Sequence, residues 1–199
     1  MIYLASKSPR RTELLQQVGV EHKIIEIEVD ENINNSNSPQ ENVRALSVLK
    51  CQEGVRKIIT ENMHSFPVLA ADTIIVLGDK IFGKPESESD AIAMLLSLSR
   101  KTHTVMTAVT VGIINKEQAQ FHTINVSSNV EFASLTENDC IEYCKTKEPF
   151  DKAGGYGIQG YGSAFIKKIN GSYSNIVGLP IHEVVKLLKK LGISYWNKK

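Results

Sequence analysis

An aspartate stands inside the most apolar stretch of the chain, which runs from Phe66 to Leu77. The length and composition of this stretch predict a central, buried β-strand. A carboxylate buried there without a partner would destabilise the fold by several kcal/mol, so Asp72 needs a cation, a metal ion or hydrogen-bond donors. Two interpretations remain open. Asp72 is either a structural residue paired with an arginine or a helix N-terminus, or a carboxylate that binds a metal or activates water.

The N-terminal segment predicts a strand, a tight turn and a helix. Ile2 to Ala5 form a short apolar run, typical of a buried strand. Ser8 then suits the N-cap of a helix and Pro9 its first turn, while Gly19 suits the residue after its end.

Two arginines fall in the first turn of this helix, where the helix dipole disfavours a cation by up to about 1 kcal/mol. Arg10 and Arg11 become understandable if an anion lies among them, bound by backbone N–H groups, serine hydroxyls and the guanidinium groups. The functional interpretation is a phosphate-binding turn. The alternative is two solvated arginines on an exposed turn.

Length and charge limit the classes of function. The 199 residues suffice for a sizeable core, in one domain or two closely joined lobes. A net charge of +1 provides no field for broad nucleic-acid or membrane binding, so we expect neither partner, and this argues against an RNA-binding module. Cys140 and Cys144 could share a helix face, but no histidine is placed to complete a zinc site with them. We expect these two and Cys51 to be reduced cysteines of a cytoplasmic protein.

The rest of the chain alternates strand and helix patterns without strict βαβ order, which predicts an α/β fold with a mixed sheet. A polar loop from Asn32 to Pro39 is a candidate mobile flap, and a turn is expected near Asn115-Lys116. The predicted strands cover residues 22–29, 66–77, 80–82, 102–114, 119–132 and 164–169. The predicted helices cover residues 39–59, a segment capped by Ser87 or Ser89, residues 136–145 and a segment from Pro180 to the Gly192 stop.

Three further charged residues are candidates for the site. Glu31 ends a predicted strand beside the polar loop and is either a second metal carboxylate or an exposed acid. Lys50 lies next to the apolar face of its helix, so its ammonium either points into a cleft or extends to solvent. Lys84 is held at a stiff corner between Gly83 and Pro85 and is either a phosphate contact or a solvated lysine.

The segment from Gly154 to Gly162 contains five glycines, which allow the backbone to approach a flat ligand closely. Within it, the amide of Gln159 offers a donor and an acceptor side by side, matching O4 and N3–H of uracil or thymine. Tyr156 or Tyr161 could stack on a base. The alternative is a loop whose glycines serve only turns.

Several blocks, in order along nearly the whole chain, resemble the Maf family of nucleoside triphosphate pyrophosphatases. The first is the opening signature, Leu4-Ala5-Ser6-Lys7-Ser8-Pro9-Arg10-Arg11, in which the family often has a small residue at the place of Lys7. The others are Ala71-Asp72-Thr73, Lys84-Pro85, Asp151-Lys152-Ala153-Gly154, Gly157-Ile158-Gln159-Gly160, Ile169-Asn170-Gly171-Ser172-Tyr173 and Val177-Gly178-Leu179-Pro180.

The resemblance implies one domain over residues 1–199, an elongated α/β fold with two lobes around a central cleft, similar to inosine triphosphatase. It implies hydrolysis of a nucleoside triphosphate to the monophosphate and pyrophosphate, a divalent metal cofactor and a homodimer. The Asp151 block and Gln159 are similar to the subfamily acting on dTTP and UTP. By motif position, Asp72 would be the catalytic proton acceptor. The specificity positions would be Arg10, Thr73 and Gln159, and the other active-site positions Ser8, Arg11, Glu31, Lys50 and Lys84.

The resulting hypothesis is a house-cleaning hydrolase of dTTP and UTP, and of modified pyrimidine nucleotides. Ser8, Arg11, Lys50 and Lys84 would bind the phosphates. Mg²⁺ or Mn²⁺ would be bound through Asp72 and Glu31. The competing hypothesis is a nucleotide-sensing regulator of septum formation and cell division that acts without turnover.

Overall fold

A mixed seven-stranded sheet with flanking helices forms the described part of the protein, and it confirms the predicted α/β fold. The structure is a computed structural model that describes residues 1–31, 37–115 and 118–196. The strands are β1 (Ile2–Leu4), β2 (His22–Ile24), β3 (Val68–Leu77), β4 (Lys80–Phe82), β5 (Thr102–Asn115), β6 (Gln118–Phe132) and β7 (Ile166–Asn170). The helices are α1 (Pro9–Gln17), α2 (Pro39–Thr60), α3 (Glu88–Leu98), α4 (Glu137–Lys145), α5 (Tyr173–Val177) and α6 (Ile181–Lys190). Short 3₁₀ turns cover Glu148–Asp151, Ala153–Gly155 and Tyr161–Phe165.

The sheet combines parallel and antiparallel pairs in the order β2-β1-β3-β5-β6-β7, with β4 paired to β3. β1 runs parallel to both of its neighbours, and Tyr3 lies opposite Lys23 on β2 and Val68 on β3. β3 and β4 form the predicted hairpin, whose turn includes Gly78 at a φ of 60°. This left-handed conformation explains the glycine there.

The chain divides into two compact units, and the boundary between Asp72 and Thr73 falls within β3. The first unit comprises Met1–Asp72, Thr107–Val126 and Gly178–Lys199. The second comprises Thr73–Met106 and Ser127–Val177.

Each unit has its own apolar core. In the first, α2 lies so close to the sheet that a methyl group at Gly54 would come within 2.8 Å of the Val68 side chain. This core contains Tyr3, Ala5, Ile25, Cys51, Val55, Ile58, Val68 and Ala70. The core of the second unit contains Ile75, Phe82, Leu95, Leu98, Val105, Val130, Phe132, Cys140, Tyr143, Tyr156 and Phe165.

Helix starts agree well with the sequence-based predictions. Ser38 and Glu41 form a capping box at the start of α2, and Thr136 and Asp139 form one at the start of α4. Ser87, rather than Ser89, caps α3. The short helix α5 was not predicted.

The second predicted strand was too long. β2 covers only His22–Ile24 of the predicted residues 22–29. Its partner β1 ends at Leu4. After the hydrogen bond from Ile25 N to Leu4 O (3.0 Å), the segment that follows β1 turns towards α1 and no longer pairs with β2. Most of the predicted flap, residues 32–36, and residue 116 of the predicted turn lie outside the described residues.

Candidate active site

Two directed hydrogen bonds orient Arg11, one to the turn between β1 and α1 and one to the segment that precedes α6. Arg11 Nη1 donates to Ser6 Oγ (3.0 Å) and Arg11 Nε donates to the carbonyl oxygen of Gly178 (3.0 Å). The backbone N–H of Ser8 also donates to Ser6 Oγ (3.2 Å). The buried hydroxyl of Ser6 therefore organises this turn, and sequence reasoning did not single it out. Its place in the opening signature was the only signal that could have found it.

Ser8 occupies the N-cap position of α1 as predicted, with Pro9 following. Within the described residues, however, its side chain makes no capping hydrogen bond, unlike those of Ser38 and Thr136. The N-terminus of α1 thus differs from those of α2 and α4 in leaving its first N–H groups uncapped by a side chain, as an anion-binding helix start requires.

Lys50 is the partner that the buried Asp72 requires. Lys50 Nζ lies 2.6 Å from Asp72 Oδ1 and 2.8 Å from Glu31 Oε1. The Lys50 and Asp72 side chains are each only 11% exposed, whereas that of Glu31 is 57% exposed. Lys50 therefore points inward from α2 rather than extending to solvent. The cation that pairs with Asp72 in the described residues is therefore a lysine, whereas the structural interpretation from the sequence named an arginine or a helix N-terminus.

Arg11 lies within electrostatic range of this ion pair. Burial lowers the pKa of the Arg11 guanidinium, the negative charges of Asp72 and Glu31 raise it, and neighbouring Arg10 lowers it. The first unit thus brings Arg11 and its neighbour Arg10 together with Glu31, Lys50 and Asp72, which lie far from them in sequence. Arg11 and Lys50 lie near the two carboxylates, so the group combines cations of the kind that bind phosphates with a buried carboxylate.

The remaining predicted site residues belong to the second unit. Thr73 follows Asp72 on β3 and is half-buried, while Lys84 and Gln159 are exposed. The backbone N–H of Gly154 donates to the carbonyl oxygen of Gly83 (2.8 Å). This bond joins the corner that carries Lys84 to the glycine-rich segment that carries Gln159.

Tyr156 is not available to stack on a base, so that suggestion was wrong. Its ring is only 5% exposed and packs edge-on against Phe132, with ring centroids 4.7 Å apart. Its hydroxyl lies 2.7 Å from Nε2 of the buried His103. Its apolar contacts place the Tyr156 ring in the core of the second unit. Tyr161, in contrast, is 71% exposed.

The donor set fits a divalent ion that binds together with phosphates. The carboxylates of Asp72 and Glu31 both contact Lys50 Nζ and are hard oxygen ligands of the kind that Mg²⁺ and Mn²⁺ prefer. In residues 1–31, 37–115 and 118–196, no group of three or more His, Cys, Asp or Glu side chains could hold a metal ion. Two carboxylates with additional phosphate oxygens and water are the usual ligands of Mg²⁺ in nucleotide-binding sites.

The three cysteines are free and buried, as predicted for reduced residues. Burial raises the pKa of the Cys51 thiol to about 12, so it is no nucleophile at neutral pH. None of the described helices has the length and apolarity needed to cross a membrane.

An uncapped helix start with two arginines, next to a buried carboxylate and its lysine, defines an α/β protein equipped to bind polyphosphate. Residues 1–191 match the family model described as Maf-like protein. The chain belongs to the Maf family, as its motifs indicated.

Three similar relatives share one functional description. The chain is 42% identical over 196 residues to the dTTP/UTP pyrophosphatase of Saccharophagus degradans, covering 98% of this chain and 91% of that protein. It is 44% identical over 191 residues to the dTTP/UTP pyrophosphatase of Caldicellulosiruptor bescii, covering 96% and 94%. It is 44% identical over 192 residues to the dTTP/UTP pyrophosphatase of Bacillus thuringiensis, covering 96% of each.

Proposed function

We propose that the protein is a nucleoside triphosphate pyrophosphatase that hydrolyses dTTP and UTP to the monophosphate and pyrophosphate. The observation that carries this proposal is the buried Lys50–Asp72 ion pair, whose carboxylate also interacts with the phosphate-binding candidate Arg11. The activity named for relatives that are 42–44% identical over nearly the whole chain supports it.

The phosphates would be bound by the groups at the start of α1 together with two lysines. Arg10 and Arg11 supply guanidinium donors, and the first N–H groups of α1 and the Ser8 hydroxyl supply neutral ones. Lys50 and Lys84 neutralise the charge on the phosphate oxygens. Arg11 is already oriented by Ser6 and Gly178, so little side-chain freedom is lost when phosphate binds.

Asp72 would accept the proton of the attacking water. The oxygen of that water bonds to the α-phosphorus, the bond from this phosphorus to the bridging oxygen breaks, and pyrophosphate leaves with that oxygen. A divalent ion held by Asp72 and Glu31, Mg²⁺ or Mn²⁺, would supply neutralisation of phosphate charge when bound. The burial of Asp72 keeps the carboxylate in one orientation beside Lys50.

Base recognition is assigned to Gln159, with Arg10 and Thr73 as further specificity positions. The amide of Gln159 can donate to O4 and accept from N3–H of uracil or thymine. Its exposure at a turn between Gly157 and Gly160 leaves it accessible to a ligand.

A pyrophosphate-release assay with a panel of nucleoside triphosphates tests the activity. Asp72→Asn should bind UTP and lose about 10²- to 10⁴-fold in turnover, the range expected for a general base. Asp79→Asn, in the exposed β3–β4 turn, is the matched control. Near-normal turnover by Asp72→Asn would remove it from the proposed chemistry.

The role of Gln159 has its own test. Gln159→Glu replaces the amide donor by a second acceptor, so the contact with O4 becomes repulsive. We expect kcat/KM for dTTP and UTP to fall by about tenfold or more, with an unchanged unfolding temperature. An unaltered base preference would show that Gln159 does not contact the base.

The cellular role that fits this activity is removal of unwanted pyrimidine nucleotides, by a homodimer in the cytoplasm with neither nucleic acid nor membrane as partner. The alternative, a septum regulator that senses nucleotides without turnover, is not favoured by relatives named for an enzymatic activity. Binding of UTP without pyrophosphate release, in the presence of Mg²⁺ or Mn²⁺, would favour it instead.

A further inference from the structure

One carboxylate in the second unit receives three hydrogen bonds around the segment that carries Gln159. Glu148 Oε1 accepts from the Tyr143 hydroxyl (2.9 Å) and from the backbone N–H of Gly162 (3.1 Å). Glu148 Oε2 accepts from the backbone N–H of Tyr161 (2.8 Å). Tyr143 is a buried residue of α4, so Glu148 ties the end of that helix to the glycine-rich segment.

The end of α4 directs Glu148 to this place. Lys147 adopts a left-handed conformation, with a φ of 64°, which turns the chain back after the helix. The backbone N–H of Glu148 then donates to Thr146 Oγ1 (3.2 Å). A left-handed lysine is an uncommon conformation that the surrounding contacts must hold.

The glycines on either side of Ile158 and Gln159 are explained by close approach to side chains from this turn. A methyl group at Gly160 would lie 2.6 Å from Glu148 Cδ, and one at Gly157 would lie 2.7 Å from Lys152 Cε. Neither glycine has a positive φ, so the demand is for space and not for an unusual backbone conformation. Lys152 Nζ in turn donates to the carbonyl oxygen of Glu148 (2.8 Å).

We infer that Glu148 is a positioning residue for base selection, which holds the turn carrying Gln159 in the conformation that presents its amide. The inference rests on the proposed function, in which Gln159 contacts the pyrimidine. An ionised carboxylate accepts all three hydrogen bonds, whereas a glutamine has one acceptor oxygen and an NH₂ group that cannot accept. Glu148→Gln therefore leaves at least one donor of the turn unpaired while keeping the side-chain size.

The experiment compares wild type, Glu148→Gln and Tyr143→Phe, with Glu142→Gln as the control. Glu142 is an exposed glutamate of α4 that pairs with Lys145, so its replacement removes the same charge from a neighbouring position. For each variant, kcat and KM are measured with UTP, dTTP, CTP and GTP by pyrophosphate release, and hydrogen exchange of the Tyr161 and Gly162 amides is measured without nucleotide.

We expect Glu148→Gln to raise the KM for UTP and dTTP by about 10- to 100-fold. The preference of the enzyme for these two nucleotides over CTP and GTP should become smaller. The kcat at saturation should change less than about threefold, and the Tyr161 and Gly162 amides should exchange faster. Tyr143→Phe removes one of the three donors to Glu148 and also the acceptor for the backbone N–H of Gly157, while both backbone bonds to Glu148 remain, so it should shift the preference in the same direction. Glu142→Gln should match wild type.

A purely structural role gives a different result, because kcat/KM for all four nucleotides would then fall in parallel with stability. That outcome, or an unchanged preference in a folded Glu148→Gln variant, overturns the inference. If Glu148→Gln does not fold, Tyr143→Phe decides, and a preference identical to wild type overturns the inference there too. If wild type itself releases no pyrophosphate, the proposed function is refuted. The measurements on wild type and Glu142→Gln distinguish this outcome from the failure of the inference about Glu148.

Discussion

The buried His103 makes a quantitative prediction about acid stability. Its ring is 1% exposed and packs edge-on against Phe132, with ring centroids 4.9 Å apart. Its Nε2 lies 2.7 Å from the Tyr156 hydroxyl, and its Nδ1 has no hydrogen-bond partner in the described part of the chain. A second proton would therefore place a charge in the apolar core of the second unit.

Burial lowers the pKa of His103 from 6.5 to about 4. Each pKa unit corresponds to about 1.4 kcal/mol, so the proton linkage amounts to about 3 kcal/mol. Between these two pKa values the unfolded chain binds a proton that the folded protein excludes. The stabilising contribution is therefore complete above pH 6.5, and it is lost progressively as the pH falls towards 4.

His103→Gln removes this titration and keeps a side chain that can hydrogen-bond to Tyr156. Urea unfolding between pH 4.5 and 8 should show wild type losing about 2 to 3 kcal/mol more than the variant over that range. His64→Gln, at an exposed histidine, is the control and should follow wild type. Parallel stability curves for wild type and His103→Gln would refute the assignment of this pH dependence to His103.

Three further predictions concern the ion pair, a helix cap and the cofactor. Lys50→Met leaves Asp72 buried without its ammonium partner, so the free energy of unfolding should fall by about 3 to 5 kcal/mol and pyrophosphate release should be lost; a fully stable variant in urea unfolding would contradict this. Thr136→Ala removes the acceptor for the Asp139 N–H at the start of α4 and should lower stability by about 1 kcal/mol without altering kcat, as thermal unfolding and pyrophosphate assays can check. Removal of divalent ions with a chelator should abolish pyrophosphate release. The unfolding temperature should stay nearly unchanged, because without the metal the carboxylates of Asp72 and Glu31 already form ion pairs with Lys50.

Local features of the fold were predictable because local interactions control them. The starts of α2 and α4 follow from a capping residue with an acid three positions later, and the β3–β4 hairpin follows from the Gly78-Asp79 turn. The strand within residues 66–77 follows from its continuous apolar composition. The sequence also indicated that Asp72 must have a partner, since no buried carboxylate is stable alone.

Long-range contacts decided the rest, because no local pattern encodes which distant residues meet. Only the fold selected Lys50 as the partner of Asp72 and made β2 stop where β1 offers no further pairing. The same packing placed Tyr156 in a core beside His103 and set Glu148 against Gly160, although both tyrosine and glutamate can equally well lie on a surface. Residue types and spacings thus determined the elements and the kinds of groups present, while the free energy of packing those elements together determined which groups face each other.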